Sequence, residues 1–250
     1  MVRDGGTVPN RRFTSSGGVG ASIADQVDDA KVRELFGEGV TMVFQGLHRT
    51  WSPIGDFVRR LAEELGHPVQ ANCYVTPPQH RGFDDHYDVH DVFVAQVHGH
   101  KEWRLHAPAL VHPLRDQPWE HCKDEVRRAA AGPPLRVVTL APGDCLYLPR
   151  GFIHSARALG GISAHLTLGV HPWTGHHVAT ALTDAALRRV AEEEAVRASL
   201  PLGVTLEDSD TVESVRAALL AAVAEVPVDQ LRAALATMAR SSMRMPPVSV

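Results

Sequence analysis

Cysteine is scarce: Cys73, Cys122 and Cys145 are the only three in 250 residues, an odd number with no CxxC pair. That argues against a disulfide framework and against a structural zinc knot, and it suits a reducing cytoplasm. Long apolar runs are missing as well. No stretch approaches the roughly 18 uncharged apolar residues that a membrane helix needs. Residues 1–20, with Arg3, Arg11 and Arg12 among Gly, Ser and Thr, lack the apolar core of a signal peptide. There is no excess of positive charge, since a net charge of -4 offers nothing global to nucleic acid or an anionic membrane. Aromatic residues make up only 6% and do not interleave with basic ones, so Trp103 and Trp119 read as core or loop anchors. The remaining composition is ordinary for a folded chain, 44% hydrophobic and 22% charged, with one surplus of 15 histidines.

Residues 1–25 show no periodicity and read as a flexible leader. A short helix is expected over 28–36 and a buried strand over 40–44. Ser52 is expected to cap a helix with Pro53 in its first turn and Gly66 at its close. Inside it Ile54, Phe57, Val58, Leu61, Ala62 and Leu65 form one apolar face, which reads as core packing. From 69 to 170 the texture changes to short β-type segments: 70–76, 91–97, 101–107, 136–141, 144–148 and 163–170. Pro and Gly turns separate them, a layout that favours a sandwich or barrel over a doubly wound sheet. From Trp173 onward the chain reads as helical. One stripe holds Val178, Leu182, Ala185, Ala186 and Val190; a second holds Val212, Val215, Leu219, Val223 and Val226; Leu231, Leu235 and Met238 follow Pro227.

Chemistry enters at His86-Tyr87-Asp88. In extended backbone, positions i and i+2 point to the same side, so this imidazole and carboxylate can reach one metal ion. An HxD pattern alone is weak and needs a third ligand from a distant strand. His154 suits that place, after a turn, the short apolar stretch 145–148 and a second turn. Two His and one carboxylate on one side of an ion leave the opposite positions open, the ligand set of non-haem Fe(II) oxygenases rather than of closed structural zinc.

Several separated segments then carry a resemblance. Asn72-Cys73-Tyr74-Val75-Thr76-Pro77-Pro78, Gly82-Phe83, His86-Tyr87-Asp88, the run from Asp91 to Gln96, and Gly99-His100-Lys101-Glu102-Trp103 resemble the JmjC-type cupins of the ribosomal oxygenase group. The block from Pro142-Gly143-Asp144 to His154 looks like that family's second cupin motif. The likeness covers roughly residues 30 to 205, including Arg197-Ala198-Ser199-Leu200-Pro201-Leu202-Gly203. It implies a mainly β fold with helices: a double-stranded β-helix (the cupin/JmjC jelly roll) over 26–172, followed by a helical, dimerising segment over 173–250. It implies Fe(II), 2-oxoglutarate and O2 as cofactors, with His86, Asp88 and His154 as metal ligands and no further catalytic side chain. Lys101 falls where the family pairs a cation with the distal carboxylate of 2-oxoglutarate. A buried Lys needs such an anion, although without the resemblance a solvated strand-end lysine is the better reading. Asn72 and Tyr74 match positions lining the same cavity, and Thr167 is a weaker match because its register is unsettled. The family's helices lead into a winged-helix domain. This chain ends at Val250, so a complete winged helix is not expected, which counts against direct transfer of ribosomal-protein hydroxylation.

His90, His98, His100, His106 and His112 are expected to be ordinary surface or structural histidines, and His165 a hydrogen-bonded interior one rather than a substrate contact. His121-Cys122 has no second pair at zinc spacing. The polar loop 79–85 is balanced between substrate contact and plain solvent exposure. The expected activity is hydroxylation of a C–H of a protein or peptide side chain, of the ribosomal-protein Arg or His type, by a cytoplasmic homodimer. It binds neither nucleic acid nor membrane. Free amino acids or small peptides in specialised metabolism are the alternative substrates. A non-catalytic metal-binding cupin sensor is the competitor of another class, and a cupin isomerase or a dioxygenase that does not use 2-oxoglutarate would have no use for Lys101.

Overall fold

Alternation of apolar and polar side chains runs through the middle of the chain, and there the backbone is extended. The computed structural model describes residues 1–17, 22, 23 and 25–243, in two units, one running to Pro172 and the other from Trp173. The first unit holds β1 (Val2–Arg3), β2 (Gly6–Thr7), β3 (Thr14–Ser15), β4 (Gln26–Val27), α1 (Asp29–Gly37), β5 (Met42–Phe44), α2 (Ser52–Leu65), β6 (Val69–Thr76), β7 (Asp91–His106), α3 (Lys123–Ala130), β8 (Arg136–Leu140), β9 (Cys145–Leu148) and β10 (Ile153–Val170). A six-stranded antiparallel sheet runs β5-β6-β10-β7-β8, with β9 also on β7. Its centre is the pair of long strands. β7 takes β9 along its first half and β8 along its second, while β10 pairs β7 over most of its length and β6 over 163–170.

The period of two decides what faces inward. Val92, Val94 and Trp103 of β7 meet Leu140 and Leu148 in one buried cluster. Helix α2 lays Val58 and Ala62 on Val69, Ala71, Leu168 and Val170. Gly66 ends that helix with φ +67°, the left-handed backbone expected of a closing glycine. Ser52 is not its cap. Trp51 occupies that position without a side-chain bond, and Ser52 is the first helical residue, followed by Pro53.

Two further expectations change. The segments 91–97 and 101–107 are one strand, and 153–162, unassigned from sequence, joins 163–170. Gly99 is where β7 can continue: it has φ +61°, and a Cβ there would lie 2.0 Å from the Ile162 carbonyl oxygen. Beside it the β7–β10 register shifts between Leu159 and Ala164, and Gln96 Nε2 donates to the carbonyls of His98 and Gly99 and to Ser163 Oγ. Gly99→Ala is therefore expected to lose about 2–3 kcal/mol of unfolding free energy in a urea melt. The leader expected over 1–25 is also corrected across residues 1–17. Val2 and Val8 are buried, Val8 with Leu35 and Val40, because a β1–β2 hairpin bonds to Thr41. Residues 18–21 and 24 lie outside the described residues.

The second unit contains α4 (Gly175–Val190), α5 (Glu194–Arg197), α6 (Ser209–Glu225) and α7 (Val228–Met243). Ala185, Ala186 and Val190 of the α4 stripe pack on Val226 of the α6 stripe and on Ala222, which lies outside that stripe. Val212 and Val215, from the start of the α6 stripe, are exposed. Among the described residues no helix is long and apolar enough to cross a membrane.

Candidate metal centre and its cavity

Between β6 and β7 the chain lays one stretch against the start of β10. His86 N–H donates to the His154 carbonyl at 3.2 Å, and His154 N–H returns to the His86 carbonyl at 2.8 Å. Alternation then does what the HxD spacing predicts. Tyr87 is buried against Val126 and Ile153, its hydroxyl donating to the Gln117 carbonyl, while His86 and Asp88 both line a cavity of about 360 Å³. One ligand atom each from His86, Asp88 and His154 lies within 4.8 Å of the others, and His154 Nε2 is 3.6 Å from Asp88 Oδ2.

Both imidazoles are turned the same way. His86 Nδ1 lies 2.7 Å from the Asp84 carbonyl and His154 Nδ1 lies 3.0 Å from that of Phe152. A carbonyl can only accept, so each Nδ1 carries the proton and each Nε2 keeps its lone pair for a metal. Burial, with His86 adding to it, pushes His154 down to about 4. Burial also pushes the Asp88 carboxyl up, but His154, His90, His86 and His171 together hold it below the usual carboxylate value. Near neutral pH His154 is therefore a neutral imidazole and Asp88 a carboxylate, the protonation states that metal binding requires of them. The donor set and its orientation fit a divalent ion such as Fe(II).

Lys101 lines the same cavity and is only 3% exposed. Its Nζ donates to Thr76 Oγ1 at 3.0 Å and lies 3.4 Å from His165 Nδ1. Among the described residues no carboxylate is within ion-pair reach of it. Burial, opposed by Cys73, lowers Lys101 to about 7, and burial followed by Lys101 itself pushes His165 well below the usual imidazole value. Among the described residues its hydrogen-bond partners are Thr76 and His165, so a charged Nζ here is buried without an anion beside it.

The remaining expected residues stand on neighbouring strands. Asn72 and Thr167 are register partners across β6 and β10, as are Tyr74 and His165. The Tyr74 and His165 rings stack at 4.9 Å and 5°. Burial, ahead of Asp88, pushes the Tyr74 hydroxyl up to about 12, and Asn72 Oδ1 accepts from Gly46 N–H at 2.9 Å. All seven residues singled out from sequence, His86, Asp88, His154, Lys101, Asn72, Tyr74 and Thr167, therefore line one cavity.

Sequence reasoning missed part of its wall. His165 is interior, as expected, but it faces Lys101. Thr76, inside the quoted motif, lies behind the wall as the partner of Lys101 and carried no signal beyond its place one alternation after Tyr74. His90 also lines the cavity, stacked on His171 at 4.9 Å, whereas His98, His100 and His112 lie away from it. Trp103 is a core anchor that also lines the cavity, and Trp119 stands at the cavity with Lys123 Nζ 5.5 Å from its ring centre. Of the loop 79–85, Gly82 and Phe83 reach the cavity, and Gln79, His80 and Arg81 are exposed. Cys122 contacts the Tyr87 hydroxyl at 3.1 Å.

Comparison with known proteins agrees with this geometry. The JmjC domain family matches residues 50–178. Ribosomal oxygenase 1 of Rattus norvegicus is 35% identical over 161 residues, covering 61% of this chain and 26% of that protein. The bifunctional lysine-specific demethylase and histidyl-hydroxylase NO66 of Drosophila persimilis is 39% identical over 104 residues, covering 41% of this chain and 14% of that protein. The chain thus spans only about a quarter or less of these relatives' length. Among solved structures, the Escherichia coli ribosomal oxygenase YcfD in complex with cobalt and succinic acid superposes with a TM-score of 0.51 at 19% identity, covering 77% of this chain and 48% of that one. That likeness is one of fold: the sheet of the first unit is a cupin-type JmjC barrel.

Proposed function

Because the chain belongs to the JmjC domain family, we propose that it is an Fe(II)- and 2-oxoglutarate-dependent oxygenase that hydroxylates a C–H bond of a protein or peptide side chain. One observation carries the reading: the three converging ligand atoms share a cavity with a buried lysine that has no carboxylate partner among the described residues. Bound iron and 2-oxoglutarate would supply the oxidising power, O2 being consumed as the keto acid becomes succinate and CO2. The chain's own part is placement. His86, Asp88 and His154 would hold the ion through one ligand atom each. Lys101 receives the far carboxylate while Thr76 fixes its Nζ, and Asn72, Tyr74 and Thr167 wall the same space. Buried Trp103 and the Tyr74–His165 stack keep water from this end.

The relatives' names, ribosomal oxygenase and histidyl-hydroxylase, favour a protein target over a free amino acid, and an Arg or His side chain of a ribosomal protein is the specific form of the reading. A cytoplasmic homodimer belongs to it as well. The exposed Val212, Val215 and Leu220 on α6 support an association of helices.

The test is an anaerobic visible spectrum of the protein with Fe(II), before and after 2-oxoglutarate. A new metal-to-ligand charge-transfer band is expected. No band from folded, iron-loaded protein removes the 2-oxoglutarate assignment and leaves the sensor or another cupin chemistry in front. Incubation with ribosomal proteins, small peptides and free amino acids then reads the substrate class as a one-oxygen mass gain. A gain on free amino acids alone would sink the protein-hydroxylase form.

A further inference from the structure

Residues 1–8 have no part in the metal set or the cavity wall, yet they end against the loop that leads into the metal motif. β1 and β2 turn through Asp4 and Gly5, with φ of 46° and 77°, the left-handed backbone of a tight hairpin. The hairpin is tied at two places. Val2 and Thr41 exchange N–H···O bonds of 2.9 and 2.8 Å, and Gly5 N–H donates to the Gly82 carbonyl at 2.9 Å. At its tip the chain is so close to Asp84 that a Cβ on Gly5 would lie 2.5 Å from Oδ2 and 2.9 Å from Cγ. Glycine is required there both for its backbone and for its lack of a side chain.

Asp84 is the residue whose carbonyl accepts from His86 Nδ1, at 2.7 Å. Its carboxylate is held by Arg81 at 2.8 Å. Gly82, between them, lies flat on Thr41, where an added Cβ would come within 3.4 Å of Oγ1. Thr41 Oγ1 in turn donates to Thr76 Oγ1, the hydroxyl that accepts from Lys101. The same short hairpin therefore backs the loop that orients one metal ligand and the strand that begins the chain of hydroxyls to the buried ammonium.

We propose that the β1–β2 hairpin is a positioning element for the metal site, with Gly5 seated on Asp84 to set the carbonyl that fixes the His86 imidazole. The inference rests on the metal reading above. Gly5 touches neither ion nor substrate and acts through Asp84. A carbonyl that orients a ligating imidazole is an outer partner of the kind whose loss weakens metal binding while leaving the ligands in place.

The experiment titrates the full-length protein with Co(II) alone, followed by visible d–d absorption, with thermal melting recorded in parallel. Gly5→Ala forces a methyl group onto Asp84 and is expected to weaken Co(II) binding by about 10- to 100-fold. Gly5→Ala with Asp84→Ala removes the obstructing carboxylate but keeps the carbonyl; the strain of φ +77° and the contact with the Asp84 Cβ at 3.2 Å remain, so it should recover part of the Co(II) affinity and little of the melting temperature. A Gly5→Ala protein that melts earlier but binds Co(II) as wild type does, or a double variant that recovers nothing, overturns the inference. A Cβ on Gly82 would already be in van der Waals contact with Thr41 at 3.4–3.5 Å, so Gly82→Val, whose further methyl groups have to displace Thr41, presses the same loop and serves if Gly5→Ala does not fold. Unchanged affinity there overturns the inference equally. If wild type shows no Co(II) site that His86→Ala removes, the metal reading itself fails and takes this inference with it.

Discussion

Asp88→Ala is expected to lower Co(II) or Fe(II) affinity by roughly 10³-fold or more, because it leaves a doubly charged ion with two neutral imidazoles in a desolvated site. Hydroxylation should then fall below detection while the fold persists. The persistence follows from what the side chain does in the protein. The Asp88 carboxylate makes one close contact, to His154 Nε2 at 3.6 Å, whereas its backbone carbonyl holds Gly151 N–H at 3.0 Å and survives the substitution. His86 and His154 stay paired through their own backbone bonds. A melt with and without Co(II) separates the two effects. At 100 times its dissociation constant the ion stabilises wild type by about 2.7 kcal/mol, and the variant should show no shift at that concentration. An Asp88→Ala protein that still gains stability from Co(II) would remove this carboxylate from the ligand set.

The residues of that site were legible because ligand chemistry leaves a mark on spacing. His86 and Asp88 sit two apart on extended backbone, and the buried Tyr87 between them is the other half of the same alternation. Lys101 was legible only through the resemblance, since a lysine at a strand end is solvated far more often than buried. His165 was placed in the interior correctly, but its partnership with Lys101 depends on β10 crossing β7 and β6 at once, which no local pattern records. The long strands were hidden for a related reason. Gly99 and Gly160-Gly161 look like ends of elements, yet in β7 and β10 they are where the backbone bends and the register slips, so that pairing resumes beyond them. The leader was misread because Gly5 and its polar neighbours look like linker composition. Their conformation is set by contacts with Thr41, Gly82 and Asp84, remote residues that composition does not reveal.

Lys101→Ala should raise the 2-oxoglutarate concentration needed for half-saturation by on the order of 10²- to 10³-fold, because a buried carboxylate loses its only counter-charge. Metal affinity should be nearly unchanged, as Lys101 bonds to Thr76 and His165 rather than to the ligands. An oxygenase with no need of 2-oxoglutarate would barely respond. The pH dependence gives the same group a second signature. Burial brings Lys101 down from the usual 10.5 to about 7 in the ligand-free protein. Below pH 7 the ammonium is already charged when the carboxylate arrives. Above it the amine must gain a proton on binding, so affinity should fall by up to about tenfold per unit from pH 7.5 to 9, and Lys101→Ala should abolish that slope. Folding responds with the opposite sign. Between pH 7 and 10.5 the unfolded chain keeps the lysine proton and the folded one has released it, so the ligand-free protein gains stability from this residue as pH rises through that window. Calorimetric 2-oxoglutarate binding and ligand-free melts across the same pH range thus read one amine in two directions. A binding profile flat from pH 7 to 9 in wild type would show that Lys101 is not the group that takes the carboxylate.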